Sequence, residues 1–278
     1  MTPRWQCGRF VLELDQPKIM GVLNCTPDSF SDGGQFLAPA AAIARARQMV
    51  AEGADIIDIG AESTRPGSQA ISSEEEIRRL TPVVEALVAE LGVPVSIDTK
   101  KAATMRAMLA LGADIINDVH GLEDVGALDA VKDSNCGLCL MHMRGMPDTM
   151  QHNTDYADVL AEVDAYLQQR TAVCLAAGIA PERIALDPGF GFGKNVEQNL
   201  LLVKHIHRFG HERHPLLLGV SRKSTIGQLL GGVPPGERLV GSVMLAMLGV
   251  EAGAHILRVH DVRATKDALR IREAYEKV

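Results

Sequence analysis

Apolar residues gather in eight short runs along this chain, at 19–25, 54–63, 94–99, 113–119, 137–143, 184–190, 215–221 and 254–260. Runs of this length, apolar on both faces, predict strands of a parallel sheet covered on both sides. Between them lie stretches in which apolar positions recur every three or four residues, at 39–52, 74–91, 101–111, 125–133, 156–177, 196–209, 239–253 and 263–275. These predict helices. The second opens on Glu74, Glu75 and Glu76 and then places Ile77, Leu80, Val84, Leu87 and Leu91 on one stripe; acidic residues favour a helix N-terminus. Gly53, Gly92, Gly112, Gly178 and Gly253 stand where helix stops are expected. The phrase Gly-Ala-Asp-Ile-Ile occurs at 53–57 and again at 112–116, a helix stop followed by a buried strand.

Strand and helix therefore alternate eight times within 278 residues. That count and length predict one α/β domain over 1–278, a TIM (β/α)8 barrel. The alternative is an open doubly wound sheet, which needs a glycine-rich first turn; none follows 19–25. Residues 4–15 precede the first barrel strand, and the alternation of Phe10, Leu12 and Leu14 predicts a short N-terminal hairpin across the barrel bottom.

Composition narrows the function. Hydrophobic residues make up 46% and charged residues 23%, which supports a full core and argues against long disorder. The net charge of −7 repels nucleic-acid backbone and anionic lipid, so neither is an expected partner, and an anionic substrate needs a locally basic pocket. Aromatic content of 4% leaves few platforms for stacking bases. No apolar run approaches the ~20 residues of a membrane span, and the start, MTPRWQCGRF, lacks a signal peptide's apolar stretch. Five widely spaced cysteines suit a reducing cytoplasm. Cys136 and Cys139 form C-x-x-C, but on a strand they point to opposite faces, which predicts two packed thiols and no redox pair.

Active sites of such barrels lie at the C-terminal ends of the strands. Here those ends offer Asn24, Glu62, Asp98, Asn117, His142, Asp187, Lys223, Arg258 and His260. Asp98, Asn117 and Asp187 are two carboxylates and an amide with no base on their own strand ends. They serve either cross-strand ion pairs or a ligand presenting several N–H donors; a heterocycle with an amino-amide edge fits. Lys223, Arg258 and His260 follow strands seven and eight, the usual phosphate site of this fold, and Arg258 and His260 share a strand face. An ion pair of Lys223 or Arg258 with Asp187 or Asp98 is compatible with that role. Asn24 lies nearby as an oxygen ligand for Mg2+. Loops 24–34 and 62–67 are rich in turn formers and small hydroxyl residues, with Phe30 at one tip and Arg65 before a proline. They read as a substrate-covering lid. Gly189-Phe-Gly-Phe-Gly-Lys194 lacks Walker spacing, and His207 and His211 are separated by the helix-breaking Gly210.

Eight blocks, MGVLNCTPDSFSDGG, DIGAESTRPG, SIDTKK, IINDV, MHMRGMPDTMQ, DPGFGFGKN, GVSRKSTIG and RVHDVRAT, resemble in order and spacing those of the dihydropteroate synthases. The resemblance runs from Ile19 to about Leu269, and the TPDSFSDGG and GxSRKS blocks are its most specific parts. It implies a transferase of folate synthesis that joins 6-hydroxymethyl-7,8-dihydropterin diphosphate to 4-aminobenzoate. Asp98, Asn117, Met141, Asp187, Phe192 and Lys223 would hold the pterin. Asn24, with Mg2+, and Arg258 and His260 would hold the diphosphate, and Asp98, Lys223, Arg258 and His260 would act in the transfer. Phe30, Thr64, Arg65, Pro66 and Ser221 would shape the aminobenzoate pocket. It further implies a homodimer through late helices such as 239–253, and sulfonamides as inhibitors. Cys25 departs from the family, which more often has an apolar β-branched residue there; it is expected to point away from the site. A pterin-dependent methyltransferase and a non-catalytic pterin- or phosphate-binding barrel are the alternatives, and intact loop and basic blocks argue against both.

Overall fold

The duplicated Gly-Ala-Asp-Ile-Ile phrase shows how this chain passes from helix to strand. In the computed structural model, which describes residues 3–25, 37–62, 70–145, 154–211 and 213–278, Gly53 and Gly112 take φ +106° and +97°. A side chain rarely adopts such a backbone, which is why glycine stands at both stops. The following aspartates then act alike. Asp55 Oδ2 accepts from Ile19 N at 2.8 Å and Asp114 Oδ2 from Val95 N at 3.0 Å, each tying its own strand to the start of a neighbour.

The elements are a hairpin, β1 (Arg4–Cys7) and β2 (Phe10–Glu13), and then alternating units. These run β3 (Lys18–Asn24), α1 (Leu37–Glu52), β4 (Ile56–Gly60), α2 (Ser73–Glu90), β5 (Val95–Asp98), α3 (Ala102–Ala110), β6 (Ile115–Asp118), α4 (Ala127–Val131), β7 (Gly137–Met141), α5 (Val159–Ala176) and β8 (Ile184–Asp187). They continue with α6 (Val196–Lys204), β9 (Leu217–Leu218), α7 (Ser224–Leu229), α8 (Leu239–Glu251), β10 (Ile256–Val259) and α9 (Val262–Glu276). The eight strands β3 to β10 form one sheet in the order β8-β7-β6-β5-β4-β3-β10-β9, with parallel neighbours throughout. A parallel bridge between Leu186 and Leu216 closes it into a barrel.

The two sheet faces bury different residues. Outward side chains such as Ile57, Ile59, Ile97, Ile116, Leu138 and Leu140 pack with the helices. Inward ones, Met20, Ile56, Ile115, Cys139, Ala185, Leu217 and Ile256, form a floor with Trp5, Cys7 and Leu14 of the N-terminal segment. Burial contributes about 1.5–3 kcal/mol for each large aliphatic side chain, so this floor helps hold the base of the barrel together. Trp5 is fully buried and its Nε1 donates to Arg183 O at 3.0 Å. The hairpin thus caps the bottom as expected, but through Trp5, Cys7 and Leu14, while Phe10 stays half-buried under Arg9.

Some boundaries differ from the periodicity. The helix expected at 125–133 shrinks to Ala127–Val131, because Gly126 enters it at φ +79° and Val125 is left exposed. The helix expected at 196–209 ends at Lys204, followed by a 3-10 turn over Ile206–Gly210. Run 215–221 supplies only two strand residues, since Pro215 has no N–H to pair and the chain bends after Gly219. Helix α7 and its entry at Lys223 carried no periodic signal. Cys136 packs outward and Cys139 inward, both buried and free, so C-x-x-C is two core thiols. No described helix is long and apolar enough to cross a membrane.

Candidate active site

Above the apolar floor, the inward positions turn polar. Strand alternation carries each inward column from the floor to the mouth: Ile56 to Asp58, Ile115 to Asn117, Ile256 to Arg258. Ser96 and Asp98 stand on β5, Met141 on β7 and Asp187 on β8, with Asp98 paired in register to Asn117 and Met141 to Asp187. Asn24 ends β3 beside Gly60. The structure therefore brings Asn24, Asp98, Asn117, Met141, Asp187 and Arg258 to one end of the barrel. Lys223, Ser221, His260 and Phe192 join them from the loops that follow. Phe30, Thr64, Arg65 and Pro66 lie outside the described residues.

The residue at the centre of this group was not anticipated. Asp58 is fully buried. Its Oδ1 accepts from Ser96 Oγ at 2.6 Å, and its Oδ2 from Asn117 Nδ2 at 3.2 Å and Arg258 Nε at 2.7 Å. Nη2 of the same guanidinium donates to Asp98 Oδ2 at 2.6 Å. One cation thus bridges two carboxylates from strands β4 and β5. Burial opposes the arginine's charge, but Asp58 and Asp98 outweigh it and raise its pKa. Burial raises Asp98 to about 7 against the pull of Arg258, with the charges of Asp58 and Glu76 acting in the same upward direction. The sequence did hold one sign of Asp58: a lone charge inside the otherwise apolar stretch Ile56-Ile-Asp-Ile59.

Asp187 is also buried, which raises its carboxyl. Its Oδ1 accepts from Gly189 N at 2.7 Å, and no hydrogen bond among the described residues engages Oδ2. Met141 and Phe192 pack with Val119 into a small apolar cluster apart from the main core. Lys223 Nζ lies 3.9 Å from the centroid of the Phe192 ring, and burial, then Arg258, brings its ammonium down to about 8. His260 Nδ1 and N both meet Ser221 Oγ, at 3.1 and 3.2 Å. Burial, with Arg258 and Arg222 nearby, lowers His260 to about 4. That direction favours the neutral ring near neutral pH.

Other strand-end candidates are engaged in structure. Glu62 pairs with Lys101 and accepts from Ile71 N at 3.2 Å; Lys101 also reaches Glu76 at 3.3 Å. His142 is buried against Lys194, 3.0 Å from Nδ1 to Nζ, and burial together with that lysine lowers it to about 2. Lys194, the lysine of the P-loop-like run, donates to Gly189 O at 2.8 Å and Phe192 O at 2.9 Å. It is a buried clamp for the loop that carries Phe192, not a phosphate ligand. A Cβ at Gly189 would come within 1.8 Å of His142 O, so this loop lies tight on the exit of β7. Asn195 caps α6 in a reciprocal box with Gln198. Cys25 packs against the outer core, away from the mouth.

The site is thus a mouth with an acid-and-amide edge (Asp98, Asn117, Asp187), an apolar wall (Val119, Met141, Phe192) and a basic side (Lys223, Arg258). It suits a flat, polar-edged ring carrying an anionic substituent. Comparison with known proteins agrees. The family profile described as pterin binding enzyme matches residues 20–260. The dihydropteroate synthase of Neisseria meningitidis serogroup B is 54% identical, over 97% of this chain and 96% of its own. The structure of the Xanthomonas albilineans dihydropteroate synthase with 4-aminobenzoic acid superposes with a TM-score of 0.94 at 47% identity, covering 100% of both chains. That of the Burkholderia cenocepacia enzyme with 7,8-dihydropteroate gives 0.91 at 48% identity, over 100% of this chain and 98% of the other. A Yersinia pestis dihydropteroate synthase with a sulfonamide drug complex gives 0.93 at 45% identity, over 99% and 100%.

Proposed function

The chain belongs to the dihydropteroate synthases of the pterin-binding enzyme family, and from that premise we propose how its residues carry out the transfer of a pterinylmethyl group to 4-aminobenzoate. The observation that carries the assignment of roles is the convergence of Asp98, Asn117, Asp187, Lys223 and Arg258 around one apolar-walled mouth. We read the whole chain as one domain built for that mouth. The pterin's amino-amide edge lies on Asp187, Asn117 and Asp98, and its ring packs against Met141 and Phe192 under the Lys223 ammonium. The methylene–oxygen bond to diphosphate breaks, the arylamine nitrogen bonds to the methylene carbon, and the nitrogen then releases a proton. Electron density in the dihydropterin spreads the positive charge of early bond breaking, and Asp98 favours that charge electrostatically. Arg258 supplies fixed charge beside the departing diphosphate, and His260 supplies a ring N–H. The neutral arylamine needs no strong base. Thr64, Arg65, Pro66, Phe30 and Ser221 form the aminobenzoate side, where sulfonamides would compete.

For Mg2+ the donor set is thin. Among the described residues no group of three or more His, Cys, Asp or Glu side chains forms a metal cage. Asn24 offers one hard amide oxygen at the end of β3, which fits a cation held mainly by the diphosphate's own oxygens and water. When bound, Mg2+ would neutralise charge on the leaving group.

Incubating the protein with the pterin diphosphate, 4-aminobenzoate and Mg2+ tests this reading: formation of dihydropteroate supports it, and unchanged substrates refute it. Pterin binding should also depend on pH. An ionised carboxylate accepts N–H bonds through both oxygens, whereas protonation turns one of them into an O–H donor and removes the charge, and Asp98 is raised to about 7. Affinity for a pterin lacking the diphosphate is therefore full above about pH 7 and declines as pH falls through it. Calorimetric titrations on the wild type and Asp98→Asn check this; a flat wild-type profile would remove Asp98 from the pterin edge.

Helix α8 leaves Val240, Met244 and Leu248 exposed on one stripe, with Leu229 and Leu230 of the preceding segment also exposed. We assign this apolar face to a homodimer contact. Met244→Asp is expected to sediment as a monomer where the wild type sediments as a dimer. A monomeric wild type would refute the assignment. A cytoplasmic location accords with five free cysteines.

A further inference from the structure

The turn that brings Ser221 and Lys223 to the mouth is bent at an unusual residue. Lys223 N donates to Val220 O at 3.3 Å, closing a four-residue turn, and its third residue, Arg222, has φ +59°. That position favours glycine or asparagine, and a longer side chain is strained there. Arg222 is nonetheless held from three directions. Its N–H donates to Ser242 Oγ at 2.9 Å, and its carbonyl accepts from Arg238 Nη1 at 2.9 Å. Its guanidinium forks onto Asp261, with Nε to Oδ2 at 2.9 Å and Nη2 to Oδ1 at 2.5 Å. The supports are themselves fixed. Ser242 is buried on α8 and its hydroxyl donates to Arg238 O at 2.7 Å. Asp261 directly follows His260, the residue bonded to Ser221 Oγ.

The backbone contacts alone would be made equally well by glycine, without strain. An arginine here gains only what its guanidinium does, and that is to join the loop after β9 to the loop after β10. We propose that Arg222 is a positioning residue for the transfer. By clipping Asp261 it locks the two loops together, so that Ser221, Lys223 and His260 meet the pterin diphosphate in one arrangement. The proposal rests on the reaction assigned above. It adds α8, through Ser242 and Arg238, as the support of the active-site turn.

Arg222→Gly separates the two effects, since it relaxes the backbone and removes only the clip. It is expected to melt at or above the wild-type temperature. Its kcat/KM is expected to fall at least about tenfold, the loss shared between kcat and the KM for the pterin diphosphate; a partly unfolded sample would lose kcat alone. Asp261→Asn is expected to fall similarly, and the double variant no further than either single one. Arg222→Lys, which keeps the charge but not the fork, recovers only part. A folded Arg222→Gly with wild-type kinetics would overturn the proposal. Should Arg222→Gly fail to fold, Asp261→Asn decides: a folded variant with wild-type kcat/KM overturns it equally. A wild type that forms no dihydropteroate would refute the reaction itself, a different outcome from an active wild type matched by its variants.

Discussion

Replacing Arg258 by alanine is expected to lower kcat at least about a hundredfold, the scale of losing one preorganised charge donor. The guanidinium is already fixed between Asp58 and Asp98, so no reorganisation is needed when diphosphate departs. Its charge then acts more strongly on the transition state than on bound substrate. The same substitution also has a structural cost. Asp58 is fully buried and Asp98 nearly so, and removing their shared cation leaves two carboxylates uncompensated, at about 3–5 kcal/mol of stability. Denaturant unfolding measures that loss, and kinetics on the folded fraction measure the other. Adding Asp58→Asn should restore part of the stability and none of the turnover. Affinity for a pterin lacking the diphosphate should change less than kcat. Intact turnover, or turnover and this affinity falling in parallel, would mean that Arg258 does not serve the diphosphate.

Asp187→Ala is expected to weaken pterin binding by about 1.5–3 kcal/mol, the range for a hydrogen bond to a charged partner at a buried site. Asp187 isolates this effect better than Asp98 does. Among the described residues its hydrogen bond is from Gly189 N, so its removal leaves the Asp58–Arg258–Asp98 bridge intact, whereas Asp98→Ala breaks it. Calorimetric titration with the diphosphate-free pterin gives the answer directly. Unchanged affinity would assign Asp187 to holding the Gly189–Phe192 loop instead.

Much of the mouth was legible from the chain alone, for a geometric reason. Strand residues alternate between faces, so an apolar run that ends in a polar residue places that residue either at the mouth or against the helices. Asp98, Asn117, Asp187 and Arg258 are read in this way, and so are the opposite fates of Cys136 and Cys139. Asp58 was not read, because a mid-strand charge has no meaning until its partners are known. Its partners Ser96, Asn117 and Arg258 lie 38, 59 and 200 residues away.

The order of the barrel strands and most of the helices, the barrel, its capped floor and the positions of Asp98, Asn117, Asp187 and Arg258 follow from short apolar runs and from the two- and 3.6-residue periods of strand and helix. Those patterns are local, so the sequence by itself determined them. Pairing across the closed barrel is not local. Only the tertiary structure decided that Arg258 is shared by two carboxylates, that Lys194 clamps a loop, that burial draws the His260 pKa down, and that a strained arginine joins the last two loops. Each depends on the burial and the distance between charges that barrel closure brings together, and these set both the desolvation of a group and the partner that offsets it.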